Sequence, residues 1–158
     1  MTGAYFDTAG NQFRPAGSEN VDCTINGRSV TIKWSALGGG NPGQWFYDES
    51  GFGVIVDICG ELCFAKFSYD GRRIYEKRFG QHAHSWGILA PRSRRLCVIE
   101  FQHGKGVGMM VHVFDWNTGK QLKMVIVREH EADVMAIDKN ERYLYIGKRG
   151  SSAQRAEL

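Results

Sequence analysis

The apolar residues of this chain fall into short runs separated by turn residues. Five runs are rich in β-branched or aromatic side chains: Val54–Val56, Phe64–Phe67, Leu96–Ile99, Val111–Phe114 and Tyr143–Ile146. Short runs of this kind, bounded by glycine, aspartate, asparagine or serine, are typical of β-strands. No longer stretch carries apolar residues at helical spacing with caps at its ends. The pattern therefore predicts an all-β chain.

The predicted strands recur with a period. Gly71, in Tyr-Asp-Gly-Arg-Arg-Ile, matches Gly119, in Asn-Thr-Gly-Lys-Gln-Leu, 48 residues further on. The match continues without a gap, so that His82 falls on His130 at the same offset. Upstream, Gly27 matches Gly71 at an offset of 44 residues. A glycine supplies the positive φ that a tight hairpin requires. We expect equivalent hairpins at the three glycines.

This period predicts tandem antiparallel four-stranded units within one domain, 1–158. An irregular N-terminal segment (1–19) precedes the repeats (20–148), and a polar tail (149–158) follows them. The repeats comprise the last two strands of one unit, two whole units and the first two strands of another, at about 20–36, 44–80, 85–128 and 132–147.

The segment from Val111 to Leu122 resembles the third strand, turn and fourth strand of a tryptophan–aspartate (WD) repeat blade. Phe114-Asp115 stands in the place of the family's Trp-Asp pair. Gln81-His82 and Glu129-His130 stand where its Gly-His pair would begin the next blade. The resemblance covers about residues 20–148 and implies propeller-like blades. The aspartate with which the family locks its histidine is absent, and Gly108 stands about where it would be.

The number of strands limits how such blades can assemble. Closed propellers have four or more blades, and the predicted strands make about three. We expect an open stack or flattened sandwich, or a ring completed by a second copy in a homodimer. An unclosed stack leaves edge strands that could take a partner strand by β-augmentation. The residues predicted at the junction are Tyr143, Tyr145, Ile146, Ile25, Val30 and Ile32.

Composition favours a cytoplasmic protein without a membrane partner. No apolar run approaches the roughly 18 residues that span a membrane, and residues 1–20 carry no leader pattern. The four cysteines, Cys23, Cys59, Cys63 and Cys97, lie among apolar residues and lack zinc-knuckle spacing. We predict that they are unpaired core thiols.

Residues that could carry chemistry are few. His82 and His84 alternate along an extended segment and would point to one side, an arrangement that zinc tolerates. His130 shares the place of His82 in the repeat, so a structural role is favoured for His82. Ser50 lacks the preceding glycine of a nucleophile elbow. The glycine-rich run 104–108 lacks a following helix that could bind phosphate. No cofactor or metal is predicted.

The predicted binding residues are aromatic and basic. Trp116, beside a turn, is predicted to be exposed, and an exposed tryptophan near a cation is a common interface anchor. Arg94 and Arg95 belong to one of several basic clusters. Trp45 and Tyr47 follow a glycine-rich loop at a strand entrance, although a core position is favoured for Trp45.

A non-catalytic protein-binding module is the leading interpretation. It would be an adaptor or a dedicated inhibitor, such as an immunity protein against a bacterial toxin. A nucleic-acid-binding module that uses the arginine clusters and aromatics is one alternative, disfavoured by a net charge of only +3. The other alternative is a metal-dependent enzyme that uses His82 and His84.

Overall fold

The structure, a computed structural model, describes residues 5–6, 10–17, 19–33, 35, 41–58, 61–81, 85–101, 108–128 and 132–158. Over these residues the fold is all-β, as predicted, with four antiparallel sheets of three or four strands, none of them closed into a barrel. The chain forms two compact units, Met1–Phe79 and Gly80–Leu158. No helix in the described ranges is long and apolar enough to cross a membrane.

The first unit contains sheets 1 and 2, each with its strands in sequence order. Sheet 1 consists of β1 Tyr5–Phe6, β2 Gln12–Ala16, β3 Asn20–Ile25 and β4 Arg28–Lys33. Sheet 2 consists of β5 Asn41–Asp48, β6 Gly51–Ile58, β7 Glu61–Phe67 and β8 Arg73–Gln81, which ends just past the unit boundary.

The core of the first unit follows from alternation along its strands. In β3, Val21, Cys23 and Ile25 are buried, and the residues between them point outward. Trp45 is buried between two phenylalanines, with its ring centroid 5.4 Å from that of Phe13 and 6.2 Å from that of Phe52. The core position favoured for Trp45 is confirmed.

The second unit contains sheets 3 and 4. Sheet 3 consists of β9 Ser85–Ala90, β10 Arg95–Phe101, β11 Met109–Asp115 and β12 Gln121–Val127, with β9 and β12 at its edges. Sheet 4 consists of β13 Val134–Ile137, β14 Tyr143–Gly147 and β15 Gln154–Glu157. The core cluster between these two sheets includes Cys97, Ile99, Met109, Val111, Val113, Val127, Ala132, Met135, Leu144 and Ile146.

The predicted repeat is present in the fold. Strands β7 and β11 begin 48 residues apart, as do β8 and β12, and β10 and β14. The three matched glycines all lie between paired strands with positive φ: 72° at Gly27, 86° at Gly71 and 69° at Gly119. Gly71 and Gly119 occupy equivalent connections, β7–β8 and β11–β12. The hairpin prediction is confirmed.

The terminal sheets contain more strands than the sequence predicts. The segment 1–19, expected to be irregular, contains β1 and β2, and the tail 149–158 contains β15. Strand β2 carries a single large apolar residue, Phe13, and contains Pro15, a residue that is disfavoured inside strands. Strand β15 (Gln-Arg-Ala-Glu) has no apolar pattern, and it forms by pairing with β14. Local propensity could not predict either strand.

The junction residues predicted at the two ends separate into two groups. Ile25, Val30 and Ile32 lie in the core of the first unit, and Ile146 lies in the core of the second. Their assignment to a junction is wrong, because alternation along each strand turns them inward. The other two, Tyr143 and Tyr145, are half-buried and alternate with the core residues of β14.

The cysteines lead to a prediction about thiol reactivity. Cys23, Cys63 and Cys97 are buried free thiols, and burial raises the pKa of each to about 12. Cys59 lies outside the described residues. We expect the native protein to react slowly with a thiol reagent at neutral pH, since the thiolate is the reactive form. After denaturation without reductant, titration should count four thiols. A count of two or fewer would show that disulfides form.

Candidate interaction surfaces

Three large apolar side chains are exposed in a row on the edge strand β12. Leu122, Met124 and Ile126 expose 48%, 50% and 68% of their surface. Met124 and Ile126 occupy alternate positions and share one face of the strand, and Leu122 is the extra residue at the register shift between Gln121 and Lys123. Val125 and Val127, on the opposite face, contact the core of the second unit. We call these three residues the β12 stripe.

The position of β12 explains why the stripe stays exposed. Among the described strands, it is at the edge of sheet 3 and pairs with β11 alone. Isolated apolar residues are normal on a surface, but three that are contiguous on one strand form a patch of the kind found at interaction sites. The stripe itself carries no titratable side chain. Lys120 and Arg128 are exposed at its two ends.

The free backbone edge of β12 is partly occupied by a side chain from sheet 4. Gln154 donates through Nε2 to the carbonyl oxygen of Ile126 at 2.9 Å and accepts through Oε1 from the backbone N–H of Arg128 at 2.8 Å. An added strand would need the same two groups. Lys123 donates to the carbonyl oxygen of Glu157, and the β11–β12 ladder contains a register shift. These features oppose strand addition, so a partner would contact the side-chain face.

Trp116 is not the exposed ring that the sequence predicts. It is fully buried, and its backbone N–H donates to the carbonyl oxygen of Arg94 at 2.8 Å. The alternation of β11 continues one step past the end of the strand, so Trp116 lies on the same side as the buried Phe114. Its assignment as an exposed anchor is corrected.

The two arginines of the predicted binding set lie beside this turn. Arg94 is exposed in the β9–β10 turn with φ of 53°, and Arg95 begins β10, half-buried and opposite Asp115. In the first unit, Tyr47 is partly buried and packs against the core that contains Trp45. The structure thus brings Arg94 and Trp116 together, and separately Trp45 and Tyr47. Only Arg94 of these four is fully exposed.

The alternative of a metal-dependent enzyme depends on His82 and His84, which lie outside the described residues. His130, which shares the place of His82 in the repeat, also lies outside them. In the part of the chain that the structure describes, no three histidine, cysteine, aspartate or glutamate side chains form a group that could hold a metal ion. The alternative of a metal-dependent enzyme that uses His82 and His84 is therefore untested.

Carboxylates neutralise part of the basic cluster formed by Arg72, Arg73, Lys77 and Arg78. Glu76 accepts from Arg73 at 2.6 Å and from Arg78 at 2.7 Å, and Arg78 also approaches Glu61 at 3.5 Å. Burial alone would raise the pKa of Glu76, but the hydrogen bond from Arg78 and the charges of both arginines hold this pKa below its ordinary value. Both arginines are therefore already paired with an acidic side chain on the same strand.

A buried lysine in sheet 2 is bound to the β5–β6 turn. Lys66 donates to the hydroxyl oxygen of Ser50 at 2.9 Å, and this hydroxyl donates to the Asp48 carboxylate at 2.6 Å. The backbone N–H of Ser50 donates to the same carboxylate oxygen at 2.8 Å. Because the single hydroxyl hydrogen of Ser50 points to Asp48, the contact is a bridged ion pair rather than a nucleophile with its base. It stabilises the turn between β5 and β6.

Sequence reasoning missed the β12 stripe. The resemblance to a repeat blade predicts a fourth strand here, and Leu122, Met124 and Ile126 occupy every second position along it. What no local signal reveals is that this face, rather than that of Val125 and Val127, is left uncovered. Three large apolar residues at alternate positions in a predicted outer strand are the one signal that could have indicated the surface.

No family model matches the chain, and neither does any curated protein sequence. Solved structures do resemble it. Hydrazine synthase of Kuenenia stuttgartiensis aligns with a TM-score of 0.63 at 17% identity, over 94% of this chain and 50% of that one. A candidate 6-phosphogluconolactonase of Bacteroides uniformis aligns with a TM-score of 0.51 at 13% identity, over 98% of this chain and 49% of that one.

These likenesses show the fold alone. The chain is β-propeller-like, which confirms the coarse prediction of propeller-like blades. It spans about half the length of both solved structures. Neither of them shows WD repeats, so the closer resemblance to that family stays a prediction.

Proposed function

We propose that this chain is a non-catalytic protein-binding module that docks a partner protein on the β12 stripe. The observation that carries the proposal is the exposure of Leu122, Met124 and Ile126 side by side on one edge strand. Burying apolar surface of this kind contributes about 25 cal/mol per Å², so a complementary partner gains binding energy mainly from these three side chains.

The chemistry of the surface specifies the kind of partner. The stripe is apolar, and the exposed cations Lys120 and Arg128 flank it. The complementary surface is a protein surface with apolar side chains at its centre and carboxylates at its rim. Gln154 already occupies backbone groups of β12, which favours docking on side chains over strand addition.

Within this class, a dedicated inhibitor such as a toxin-immunity protein, or an adaptor, is the specific form that we propose. The free thiols of Cys23, Cys63 and Cys97 support placing it in the reducing cytoplasm. The pairing of Arg73 and Arg78 with Glu76 favours a protein partner over nucleic acid, because part of the basic surface is already neutralised.

Photo-crosslinking in the native host tests the proposal. A photoreactive phenylalanine analogue replaces Met124 in one variant and Ile126 in another, and Thr31 on the outer face of sheet 1 provides the matched control. We expect one discrete protein adduct from both stripe positions and none from Thr31. Threonine at all three stripe positions should abolish capture of that protein while leaving the fold intact, since threonine favours strands.

Three outcomes would overturn the proposal. The first is the absence of a discrete adduct at either stripe position. The second is an adduct that forms equally at Thr31. The third is a crosslinked species that contains nucleic acid in place of protein, which would instead support the alternative.

A further inference from the structure

The outer face of sheet 4 has an unusual composition for a surface in contact with water. In β14, Leu144 and Ile146 point into the core, so Tyr143 and Tyr145 point to the opposite side. Pairing with β13 and β15 places four more residues on that side: Val134, Ala136, Arg155 and Glu157. This set, which we call the tyrosine face, has aromatic and small apolar residues at its centre and one charge of each sign on β15.

The aromatic part of this face is held in place. The guanidinium carbon of Arg155 lies 4.8 Å from the ring centroid of Tyr143, a cation–π contact. Glu157 lies opposite Tyr143 in the register of β14 and β15. Val134 exposes 39% of its surface. Tyrosine gives an interface a large apolar body and a hydroxyl group at low cost in conformational entropy.

The outer face of sheet 1 shows the opposite composition. Its core residues alternate with a nearly continuous polar set: Gln12, Arg14, Asn20, Asp22, Thr24, Ser29, Thr31 and Lys33. The hydroxyl of Thr31 donates to Asp22 at 2.6 Å, so polar groups on this face are paired with each other. A polar face of this kind suits contact with water. The tyrosine face lacks that protection.

We propose that the tyrosine face packs against the same face of a second copy of this chain, related by a two-fold axis. The arrangement of charges on the tyrosine face favours a second copy of the chain as the partner. Arg155 and Glu157 lie on one face, two residues apart, so a two-fold axis can bring each Arg155 opposite Glu157 of the other copy. The tyrosines of β14 would then be buried beside the two charge pairs, which lie together on β15. The β12 stripe takes no part in this contact.

The size of the face sets the expected affinity. Three strands about 4.8 Å apart, with four or five residues at about 3.3 Å each, make a face of roughly 14 by 15 Å. Stable interfaces bury about 800 Å² on each partner, several times this footprint. The dimer should therefore be weak and should dissociate on dilution.

A charge exchange tests the two-fold contact by sedimentation equilibrium from about 1 to 200 μM, the range over which a weak dimer dissociates. We expect the mass to rise from monomer to dimer. Arg155→Glu alone and Glu157→Arg alone should each weaken the dimer at least about tenfold, because like charges then meet across the axis. The double variant Arg155→Glu/Glu157→Arg should restore it. Arg14→Glu, on the polar face of sheet 1, is the matched control and should change nothing.

A monomer over the whole range would overturn the proposal. So would single variants that dimerise as the unchanged protein does, a double variant that fails to recover, or a loss with Arg14→Glu equal to that with Arg155→Glu. Threonine at the three stripe positions should leave the dimer intact, so failure of the proposed partner site and failure of this dimer can be told apart.

Discussion

Replacing Gly51 with alanine should lower the free energy of unfolding by about 3 kcal/mol or more. An ideal Cβ at this position would lie 2.2 Å from the carbonyl oxygen of Phe67. That oxygen belongs to the backbone of β7, which pairs with β6, so it can move only if the two strands separate. The φ of 156° adds strain for any residue with a side chain. Chemical denaturation followed by circular dichroism measures the loss.

Gly150 provides the matched control for this substitution. It also has a positive φ, 86°, but a Cβ there would meet nothing within 4 Å. Gly150→Ala should therefore cost only the backbone strain, about 1 kcal/mol. Equal, small losses at both positions would contradict the close approach of β7 to Gly51.

Replacing Trp116 with alanine should lower the free energy of unfolding by about 3–5 kcal/mol, because a fully buried indole leaves a large cavity. The same measurement on Ile126→Ala, where the side chain is 68% exposed, should give a change within about 0.5 kcal/mol. This contrast separates a core tryptophan from an interface anchor. If Trp116→Ala left stability unchanged but abolished partner binding, the original interpretation as an anchor would be right.

The sequence predicts those strands and turns of this fold that carry a local signal in their own residues. β-Branched and aromatic runs mark strands such as β6, β10 and β11 because their side chains need a half-buried pleated surface. Gly71 and Gly119 mark turns because positive φ is a local requirement. Strand β15 has no such signal. Its backbone pairs because β14 offers an unpaired edge, and that edge exists only in the folded chain.

The candidate surfaces also include features that the sequence predicts and features that it does not. Tyr143 and Tyr145 were predicted at a junction, and their place on the tyrosine face is consistent with that prediction, which stays untested. The prediction that Trp116 is exposed is wrong, because a position beside a turn does not by itself expose a side chain. In the structure its backbone is bonded to Arg94, and its ring lies on the same side of β11 as the buried Phe114.

The sequence by itself determined the all-β class, the period and the position of each repeat glycine. These properties depend on short-range steric limits and on the alternation of neighbouring side chains. Only the tertiary structure decided which face of β12 remains bare, that Trp116 is buried, and that Gln154 covers the edge beside Ile126. The reason is physical: burial and edge protection depend on residues that are distant in sequence, and the local pattern is the same whether or not they are present.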